Sequence, residues 1–557
     1  MVKLFTIGLY FIFFSCFWSC GKSDSKESVT PPSTSPFRMN VYSVNGINNA
    51  SEYINTQIVP AIQFSFSAPV QANTVSNAIS IVEKGGGAVP FQVNLQNSDS
   101  VVVITPSIPL KYLTRYSISL STGIRSKNNG QLQNTSSFTL FTKLDSSRKF
   151  PILSDDALLD LVQRQTFKYF WDFGHPVSGL ARERNTSNDV VTSGGSGFGV
   201  MAIITAIHRQ FISRADGLAR MQKIVSFLKS KAQTFHGAFP HWLNGSTGAV
   251  VPFSAKDNGA DLVETSYLMM GLLSARQYFN GVDVNETTLR NDINDLYNAV
   301  EWSWFRQNNQ QVLYWHWSPN YQWEMNHPIK GWNECLITYV LAASSGTYSI
   351  PKSVYDQGWA SNGAMKNGNT YLGVPLPLGP PFGGPLFFAH YSFLGINPTN
   401  LKDHYADYWM QNRNHSLIHY NYCKSNPKGN FGYSDSVWGL TASDVPNGYA
   451  ANSPTNDIGV IAPTAALSSF PYTPVESMQA LKFYYYVLGD KIWKEYGFVD
   501  AFSLQEPWFS SSFLAIDQGP IIVMIENYRS VLIWNLFTSC PEVKEGMKSL
   551  GFEAPFL

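Results

Sequence analysis

The spacing of apolar residues changes at about residue 150, and this change divides the chain into two kinds of architecture. Before it, short runs such as Ile62-Gln-Phe64-Ser-Phe66 alternate apolar and polar residues between Gly, Pro, Asn and Ser. Regularly spaced short strands of this kind predict a β-sandwich. From Ser154 onward, apolar residues recur at three- and four-residue spacing, which predicts helices. We therefore expect a multidomain chain, with a β-sandwich over residues 37–145 and an all-α domain over residues 150–557.

Two patterns in the first region resemble bacterial Ig-like modules. They are Ile62-Gln-Phe-Ser-Phe-Ser-Ala-Pro69 and the strand entry Lys111-Tyr-Leu-Thr-Arg-Tyr116. We expect strands at 62–66, 91–95, 101–104, 116–120 and 137–141. No cluster in this region suggests chemistry, so spacing or support of the larger domain is the favoured role, with glycan contact as the alternative.

The second region predicts ten to twelve helices joined by long loops rich in Gly, Pro and Trp. We expect them at 154–171, 198–213, 217–232, 259–279, 285–304, 331–345, 384–394, 401–423, 456–468, 474–488 and 519–537, the last long enough to be two. Such a series fits a toroid of helical hairpins, whose loops at one end would build a cleft. An irregular helical domain is the alternative that helix counting leaves open.

The first twenty residues are typical of an export signal. A short basic start precedes an apolar run from Leu4 to Phe17, too short to span a bilayer. Phe17-Trp-Ser-Cys20 resembles a bacterial lipobox, which implies cleavage before Cys20 and lipid attachment to its thiol. Residues 21–36 are rich in Ser, Pro and Lys and predict a linker. We expect a protein anchored by lipid in the cell envelope, in the periplasm or at the outer-membrane surface; an ordinary secretory signal is the alternative.

Charge and composition favour a neutral ligand. Lys+Arg and Asp+Glu are both 39, which argues against nucleic acid and against an electrostatic membrane patch. Aromatic residues equal charged residues at 14% each, which suits a hydroxyl-rich ligand stacked on rings, although a large aromatic core explains the same numbers. Cys335, Cys423 and Cys540 show no metal-ligand spacing, so we expect free thiols, no metal and no cofactor. We also expect a monomer.

One apolar helix begins with two carboxylates. In Asn258-Gly-Ala-Asp261-Leu-Val-Glu264, the two acids lie three residues apart and so share a helix face. Buried acids must be paired or protonated, and raised pKa values are useful for acid catalysis. In the alternative reading, Asn258 caps the helix and Asp261 occupies its third position, where an acid is ordinary. Glu264 lies deeper in the apolar run and fits that reading less well.

Two further acids stand beside aromatic residues. Glu334 follows Gly331-Trp332-Asn333 at the start of another apolar helix, and Asp517 lies in Phe513-Leu-Ala-Ile-Asp-Gln518-Gly-Pro. A helix-dipole partner for Glu334 and a turn or cap role for Asp517 are the structural alternatives. Hydrolysis of a glycosidic bond needs one acid and one base or nucleophile, and the chain offers four candidates.

Two loops combine rings with polar groups. Phe235-His-Gly-Ala-Phe-Pro-His241-Trp242 and Tyr314-Trp-His316-Trp317-Ser-Pro-Asn-Tyr-Gln-Trp-Glu324 provide apolar faces for sugar C–H groups and polar groups for hydroxyls. Other chemistries lack their motifs. The glycine-dense run Ser193–Gly199 has no Lys and no preceding strand, so it does not predict phosphate binding.

The helical region resembles the bacterial glucoamylase-like family that includes endo-β-1,2-glucanases and β-1,2-oligoglucan sophorohydrolases. The resemblance is carried by motifs that keep their order along the whole region: Gly197-Phe-Gly-Val-Met-Ala, Phe239-Pro-His-Trp242, Asp261-Leu-Val-Glu264-Thr, Gly331-Trp-Asn-Glu334, Pro463-Thr-Ala-Ala-Leu and Ala515-Ile-Asp-Gln-Gly-Pro520. It implies an (α/α)6 toroid and anomer-inverting hydrolysis of β-1,2-glucan, with release of sophorose as one outcome. Asp261, Glu264 and Glu334 match acids of the family's active site, and Asp517 matches as a base.

We therefore expect a site with Glu334 as general acid and either Asp517, or Asp261 acting through water or a substrate hydroxyl, as base. The residues expected to bind substrate are His241, Trp242, Tyr267, His316, Trp317, Trp332 and Gln518. Three alternatives stay open: a surface glycan-binding lipoprotein without catalysis, a hydrolase of another glucan linkage, and a polysaccharide lyase on the same toroid.

Overall fold

The structure, a computed structural model, describes residues 36–557. It divides into two compact units, one ending at Lys143 and the other running from Leu144 to Leu557. The predicted signal peptide, its Cys20 and the linker up to residue 35 lie outside the described residues. Within 36–557, no helix combines the length and apolar character needed to cross a membrane.

The first unit is a sandwich of two sheets. Its strands are β1 Met39–Val44, β2 Ile47–Asn48, β3 Glu52–Thr56, β4 Ile62–Phe66, β5 Ile79–Glu83, β6 Phe91–Gln96, β7 Val101–Pro106, β8 Arg115–Leu120 and β9 Ser136–Thr142, with a short helix α1 at Ala72–Ala78. One sheet has the order β2-β1-β4-β7-β6 and the other β3-β9-β8-β5. The pair β3–β9 is parallel, whereas the other pairs are antiparallel.

Alternation along the strands builds the core of this sandwich. In β4, Ile62, Phe64 and Phe66 are buried while the polar residues between them are half-buried. They join Ile118 of β8 in a single apolar cluster. The five predicted strands therefore all lie in observed strands. The prediction did not include β1, β2, β3 and β5.

The second unit is built mainly from helices. They are α2 Asp155–Trp171, α3 Ser193–His208, α4 Arg214–Ser230, α5 Leu262–Tyr278, α6 Val284–Asn298, α7 Leu336–Ser344, α8 Lys352–Val354, α9 Tyr408–Ser425, α10 Pro463–Leu467, α11 Pro474–Tyr486, α12 Gly489–Ile492, α13 Ala515–Ser530, α14 Leu532–Thr538 and α15 Pro541–Leu550. Short strands lie in the loops: β10 Val190–Thr192, β11 Trp242–Asn244, β12 Val250–Val251, β13 Ala260–Asp261, β14 His316–Trp317, β15 Thr370–Tyr371, β16 Val374–Pro375, β17 Ala442–Val445, β18 Gly448–Ala451, β19 Trp493–Lys494, β20 Gly497–Phe498, β21 Phe502–Ser503 and β22 Trp508–Phe509.

Helices α3 and α5 cross so closely that glycine is required at the contact. A Cβ on Gly197 would lie 2.1 Å from the backbone oxygen of Tyr267, and one on Gly271 would lie 2.2 Å from the backbone oxygen of Gly197. Both helices are buried along nearly their whole length, and α13 packs on the other side of α3. The expectation that no strand precedes the glycine-dense run is wrong, because β10 ends at Thr192. The run nevertheless serves helix packing, which explains its composition without a phosphate ligand.

Several predicted helix limits are wrong. The helix expected at 198–213 begins at Ser193, because the glycine run is itself helical. The helix expected at 384–394 is two 3-10 turns, Leu386–Ala389 and Ser392–Leu394, which follow glycines with positive φ at 383 and 384. The stretch 519–537 is indeed two helices, separated by Val531 in the left-handed region (φ 55°).

Candidate active site

Acids and aromatic rings line one cavity of about 450 Å³ in the helical unit. Its walls are formed by Glu183, Arg184, Thr192, His241, Trp242, Phe253, Glu264, Tyr267, Trp315, Glu334, Phe387, Tyr391, Ala442, Tyr449, Ala451, Leu514 and Ile516. Apolar faces with a few convergent polar groups are the usual lining of a small-molecule site. Among the acids predicted from sequence, Glu264 and Glu334 reach the lining itself.

Asp261 caps the first helix of the site. Its Oδ1 accepts hydrogen bonds from the amides of Val263 (3.0 Å) and Glu264 (2.9 Å), so the residue precedes α5 as its N-cap. The alternative with Asn258 as the cap is wrong, because the Asn258 side chain instead accepts a hydrogen bond from Ser318 Oγ at 2.6 Å. The N-cap bonds fix Asp261 and leave its second oxygen facing inward.

That second oxygen belongs to a cluster of four titratable side chains, His241, Asp257, Asp261 and His316, which we call the His–Asp cluster. Asp261 Oδ2 lies 3.2 Å from His241 Nδ1 and 3.6 Å from His316 Nε2. Asp257 Oδ2 lies 3.8 Å and 3.5 Å from the same two nitrogens. The antiparallel pair β13–β14 sets part of this geometry, because Asp261 and His316 are register partners.

Charge within the His–Asp cluster is unevenly distributed. Burial works to lower the pKa of His241, but Glu264 and Asp261 raise it to about 9, so the ring is cationic at neutral pH. Burial lowers the pKa of His316 to about 4, so that ring is neutral. Burial and the charge of Asp261 raise the pKa of Asp257 to about 7. Burial also opposes ionisation of Asp261, yet its histidine neighbours keep its pKa below the ordinary value.

Glu264 is held at the N-terminus of α3. Its Oε2 accepts hydrogen bonds from the Gly194 amide (2.7 Å) and Thr192 Oγ1 (3.2 Å), while Oε1 lies 4.0 Å from His241 Nε2. A Cβ on Gly194 would lie 2.6 Å from Oε2, so a glycine lets the carboxylate approach the helix end. Burial nevertheless raises the pKa of Glu264.

Glu334 lines the cavity two residues before α7. Its backbone oxygen accepts hydrogen bonds from the hydroxyls of Ser392 and Tyr267, which fix the backbone at this point. Burial, followed by the charges of Glu264 and Asp261, raises the pKa of its carboxyl to about 7. A carboxyl with this pKa retains its proton in a large fraction of molecules at neutral pH, as a general acid must.

Asp517 lies in a separate acidic group with Asp444 and Asp500, outside the cavity lining. Burial and the charge of Asp500 raise the pKa of Asp517 far above the ordinary value, and burial raises that of Asp500 to about 7. Asp500 accepts a hydrogen bond from the Asp444 amide at 2.6 Å. Asp444 in turn accepts from Nη1 of Arg184, at 3.3 Å, and Arg184 lines the cavity. Burial, followed by the charges of Asp517 and Glu334 among others, raises the pKa of Tyr391, which lines the cavity.

The predicted substrate-binding residues divide into two sets. His241, Trp242 and Tyr267 line the cavity, and His316 belongs to the His–Asp cluster beside it. Trp317, Trp332 and Gln518 do not line the cavity: their neighbours are Trp304, the buried rings of Trp359 and Tyr408, and the Phe498 carbonyl, respectively. The structure therefore places these three side chains in supporting layers.

Sequence reasoning missed several residues of the site. Asp257 stood four residues before Asp261 in the same acidic stretch, so proximity alone offered a signal. Glu183 and Arg184 lie in one loop, Tyr391 precedes a 3-10 turn and Tyr449 lies in β18. None of them stands in a local pattern of apolar or charged residues, and only the fold brings them to the cavity.

Comparison with known families and proteins gives matches for both units. Residues 38–142 match the family described as "Bacterial Ig-like domain", and residues 326–541 match the family described as "Putative glucoamylase". An exo β-1,2-glucooligosaccharide sophorohydrolase (non-reducing end) from Parabacteroides distasonis is 47% identical over 427 residues, which are 73% of this chain. The chain covers 59% of the length of that relative.

Two solved structures extend the similarity. An endo-β-1,2-glucanase from Chitinophaga pinensis, in complex with sophorotriose and glucose, is 55% identical with a TM-score of 0.71; the match covers 73% of this chain and all of that one. A β-1,2-glucanase from Parabacteroides distasonis is 38% identical with a TM-score of 0.70, over 92% of this chain and 73% of the other.

Proposed function

Because the chain belongs to the glucoamylase-like family, which includes bacterial β-1,2-glucanases, we propose that its helical unit is a glycoside hydrolase that cleaves β-1,2-glucan or its oligosaccharides. The observation that carries the proposal is Glu334, a carboxyl with a pKa of about 7 in a cavity lined by Trp242, Tyr267, Trp315 and Tyr391. Rings of this kind offer apolar faces to sugars, and a partly protonated acid can protonate a leaving oxygen.

The proposed scaffold is an (α/α)6 toroid. The inner positions are α3, α5, α7, the turns at 386–394, α10 and α13; the outer positions are α2, α4, α6, residues 352–359, α9 and α11. Two observations support this order. Side chains of α3, α5, α10 and α13 are buried almost throughout, whereas α2, α4 and α6 bury one face. The buried helices also contact one another in sequence, α3 with α5, α5 with α7, α10 with α13, and α13 with α3.

In the proposed mechanism, Glu334 donates its proton to the glycosidic oxygen as the bond to the anomeric carbon breaks. A water molecule attacks from the opposite face and inverts the anomer. Inverting enzymes separate the two carboxyls by roughly 6.5–9.5 Å to admit this water. Because the Asp500–Asp517 pair lies outside the cavity lining, the water's proton passes to it through an intervening water or substrate hydroxyl. Burial of the two neighbouring carboxyls favours one shared proton, which leaves one carboxylate as base.

Asp261 is better suited to positioning than to accepting a proton. One of its oxygens is occupied by two amides, and the other faces the cationic His241 at 3.2 Å. Both contacts stabilise the ionised form and reduce its basicity. Its negative charge also helps raise the pKa of Glu334, so it tunes the general acid.

Product chromatography tests the proposed activity. Purified protein is incubated with β-1,2-, β-1,3- and α-1,4-glucans, and we expect new reducing ends from the β-1,2-linked substrate alone. A series of β-1,2-linked oligosaccharides would indicate endo attack, and sophorose alone would indicate exo attack. Binding of β-1,2-glucan without any release of reducing sugar would instead support a glycan-binding lipoprotein.

We also propose that the protein is exported and anchored in the cell envelope through lipid on Cys20, and acts as a monomer. The apolar run up to Phe17 and the lipobox-like Phe17–Cys20 support the anchor. Metabolic labelling with a fatty acid should mark the native protein but not Cys20→Ser. Recovery of label in that variant, or of the native protein in the soluble fraction, would contradict the anchor.

A further inference from the structure

Three side chains of the His–Asp cluster, His241, Asp257 and Asp261, bring ligand atoms within 4.8 Å of one another, and His316 lies beside the two carboxylates. His241 Nδ1, His316 Nε2 and Oδ2 of Asp257 and Asp261 are separated by 3.2–3.8 Å along the four histidine–aspartate pairs. Three of these four distances exceed the 2.7–3.2 Å range of an N–H···O hydrogen bond. Neighbouring ligands of a tetrahedral ion with bonds of about 2.0–2.1 Å are separated by about 3.3–3.5 Å. The 3.5 Å pair meets this separation, and the pairs at 3.2, 3.6 and 3.8 Å lie within about 0.3 Å of it.

Unpartnered atoms give a second, independent indication. Asp257 is 4% exposed and Asp261 is fully buried, yet within residues 36–557 Asp257 Oδ1 has no hydrogen-bond partner and Asp261 Oδ2 has only its 3.2 Å contact with His241 Nδ1. Buried carboxylate oxygens normally find a donor or a cation. His241 Nδ1 is shared between the two carboxyl groups, at 3.2 Å from Asp261 and 3.8 Å from Asp257.

We propose that this cluster binds a first-row transition-metal dication of the Zn²⁺ class, with His241, Asp257 and Asp261 as ligands and His316 as the fourth. Atoms of His241, Asp257 and Asp261 all lie within 4.8 Å of one another. Imidazole and carboxylate together suit Zn²⁺ or Co²⁺, whereas Ca²⁺ and Mg²⁺ prefer oxygen ligands only. The ligands are spread from residue 241 to residue 316, so their spacing in the sequence does not match a known metal-binding motif.

An ion can reach the cluster from the cavity. His241 lines the cavity, so an ion can enter from the side that receives substrate. The effect of the ion on catalysis rests on the proposed function. The ion would lie in the cavity wall beside Glu264, whose Oε1 lies 4.0 Å from His241 Nε2. We therefore expect Zn²⁺ to inhibit hydrolysis reversibly.

Co²⁺ titration tests the site without relying on activity. The full chain is freed of metal with a chelator and titrated with CoCl2 while visible absorption is recorded. We expect d–d bands that saturate at one Co²⁺ per chain, disappear on addition of Zn²⁺ and remain unchanged with Ca²⁺. Asp257→Asn and His316→Gln should each weaken Co²⁺ binding about tenfold or more.

His236→Gln is the matched control, because His236 Nδ1 contacts Glu301 Oε2 at 2.9 Å and lies outside the His–Asp cluster. It should bind Co²⁺ like the native protein. Circular dichroism melts identify variants that have not folded. Absence of saturable bands in the native protein, or equal affinity in folded Asp257→Asn and His316→Gln, would overturn the metal site. Co²⁺ binding by a protein that does not cleave β-1,2-glucan would refute the proposed function and leave the site supported.

Discussion

Substitution of Gly197 by Ala tests whether the α3–α5 crossing sets the geometry of the site. The new Cβ would lie 2.1 Å from the Tyr267 backbone oxygen and 2.6 Å from Leu268 Cα. Both obstacles are backbone atoms, so no rotamer change relieves the contact. Moving the oxygen from 2.1 Å to about 3.0 Å, the lower limit for real contacts, shifts α5 by about 0.9 Å.

This shift has two expected costs. Overpacking of a tight core typically destabilises by 1–3 kcal/mol, and we expect about 3 kcal/mol because the contact is backbone against backbone. Glu264 lies one turn before Tyr267 on α5, so its position relative to Glu334 changes as well. Misplacement of catalytic groups by about 1 Å costs about 10²-fold in rate, and we expect a fall of that size in kcat/KM.

Urea denaturation and hydrolysis of β-1,2-glucan measure the two effects separately. The matched control is Gly346→Ala, because a Cβ on Gly346 would have no atom of residues 36–557 within 4 Å. The control should retain native stability and activity. Native stability and native kcat/KM in Gly197→Ala would refute the role assigned to the crossing.

The remaining predictions concern the reaction. The alkaline limb of the kcat/KM–pH profile should have its midpoint near pH 7, because activity needs protonated Glu334 and its pKa is about 7. Glu264→Gln should move this limb to lower pH, because the charge of Glu264 raises the pKa of Glu334. A limb that Glu264→Gln leaves in place would contradict the coupling. Asp517→Asn should lower kcat by about 10²–10⁴-fold, with partial rescue by azide that Asp261→Asn does not show; rescue of Asp261→Asn alone would reverse the assignment. Trp242→Ala should raise KM about tenfold with little change in kcat, as expected for loss of ring stacking, and an unchanged KM would exclude Trp242 from the binding surface.

Local patterns predicted much of the fold. Alternation identified strands such as β4 and β8, because each buries one face in a sandwich whose other face is wet. Helical spacing identified α2, α4 and α5. The failures arose where backbone packing overrides composition. The run Ser193–Gly199 is helical in spite of its glycines. Glycine is needed in this run because α5 approaches too closely for larger side chains.

The sequence predicted those site residues that stand in a local pattern, but not the contacts between residues on different elements. Asp261, Glu264 and Glu334 each occur near the start of an apolar helix, and the sequence marks such acids as costly to bury. The pairing of Asp500 with Asp517, and of Asp257 with two histidines, joins residues on different elements with no local pattern that connects them. Trp332 is an aromatic residue next to the catalytic candidate Glu334 and was predicted to bind substrate, yet its ring packs in the core.

The most direct test of the central claim is the hydrolysis of linear β-1,2-glucan by Glu334→Gln. Gln keeps the shape of the side chain but cannot donate the proton, so the account predicts a loss of about 10²–10⁴-fold in kcat with substrate binding retained. Glu301→Gln, which removes an acid paired with His236 outside the cavity, should keep native activity. Full release of reducing sugar by Glu334→Gln would contradict the assignment of Glu334 as the general acid.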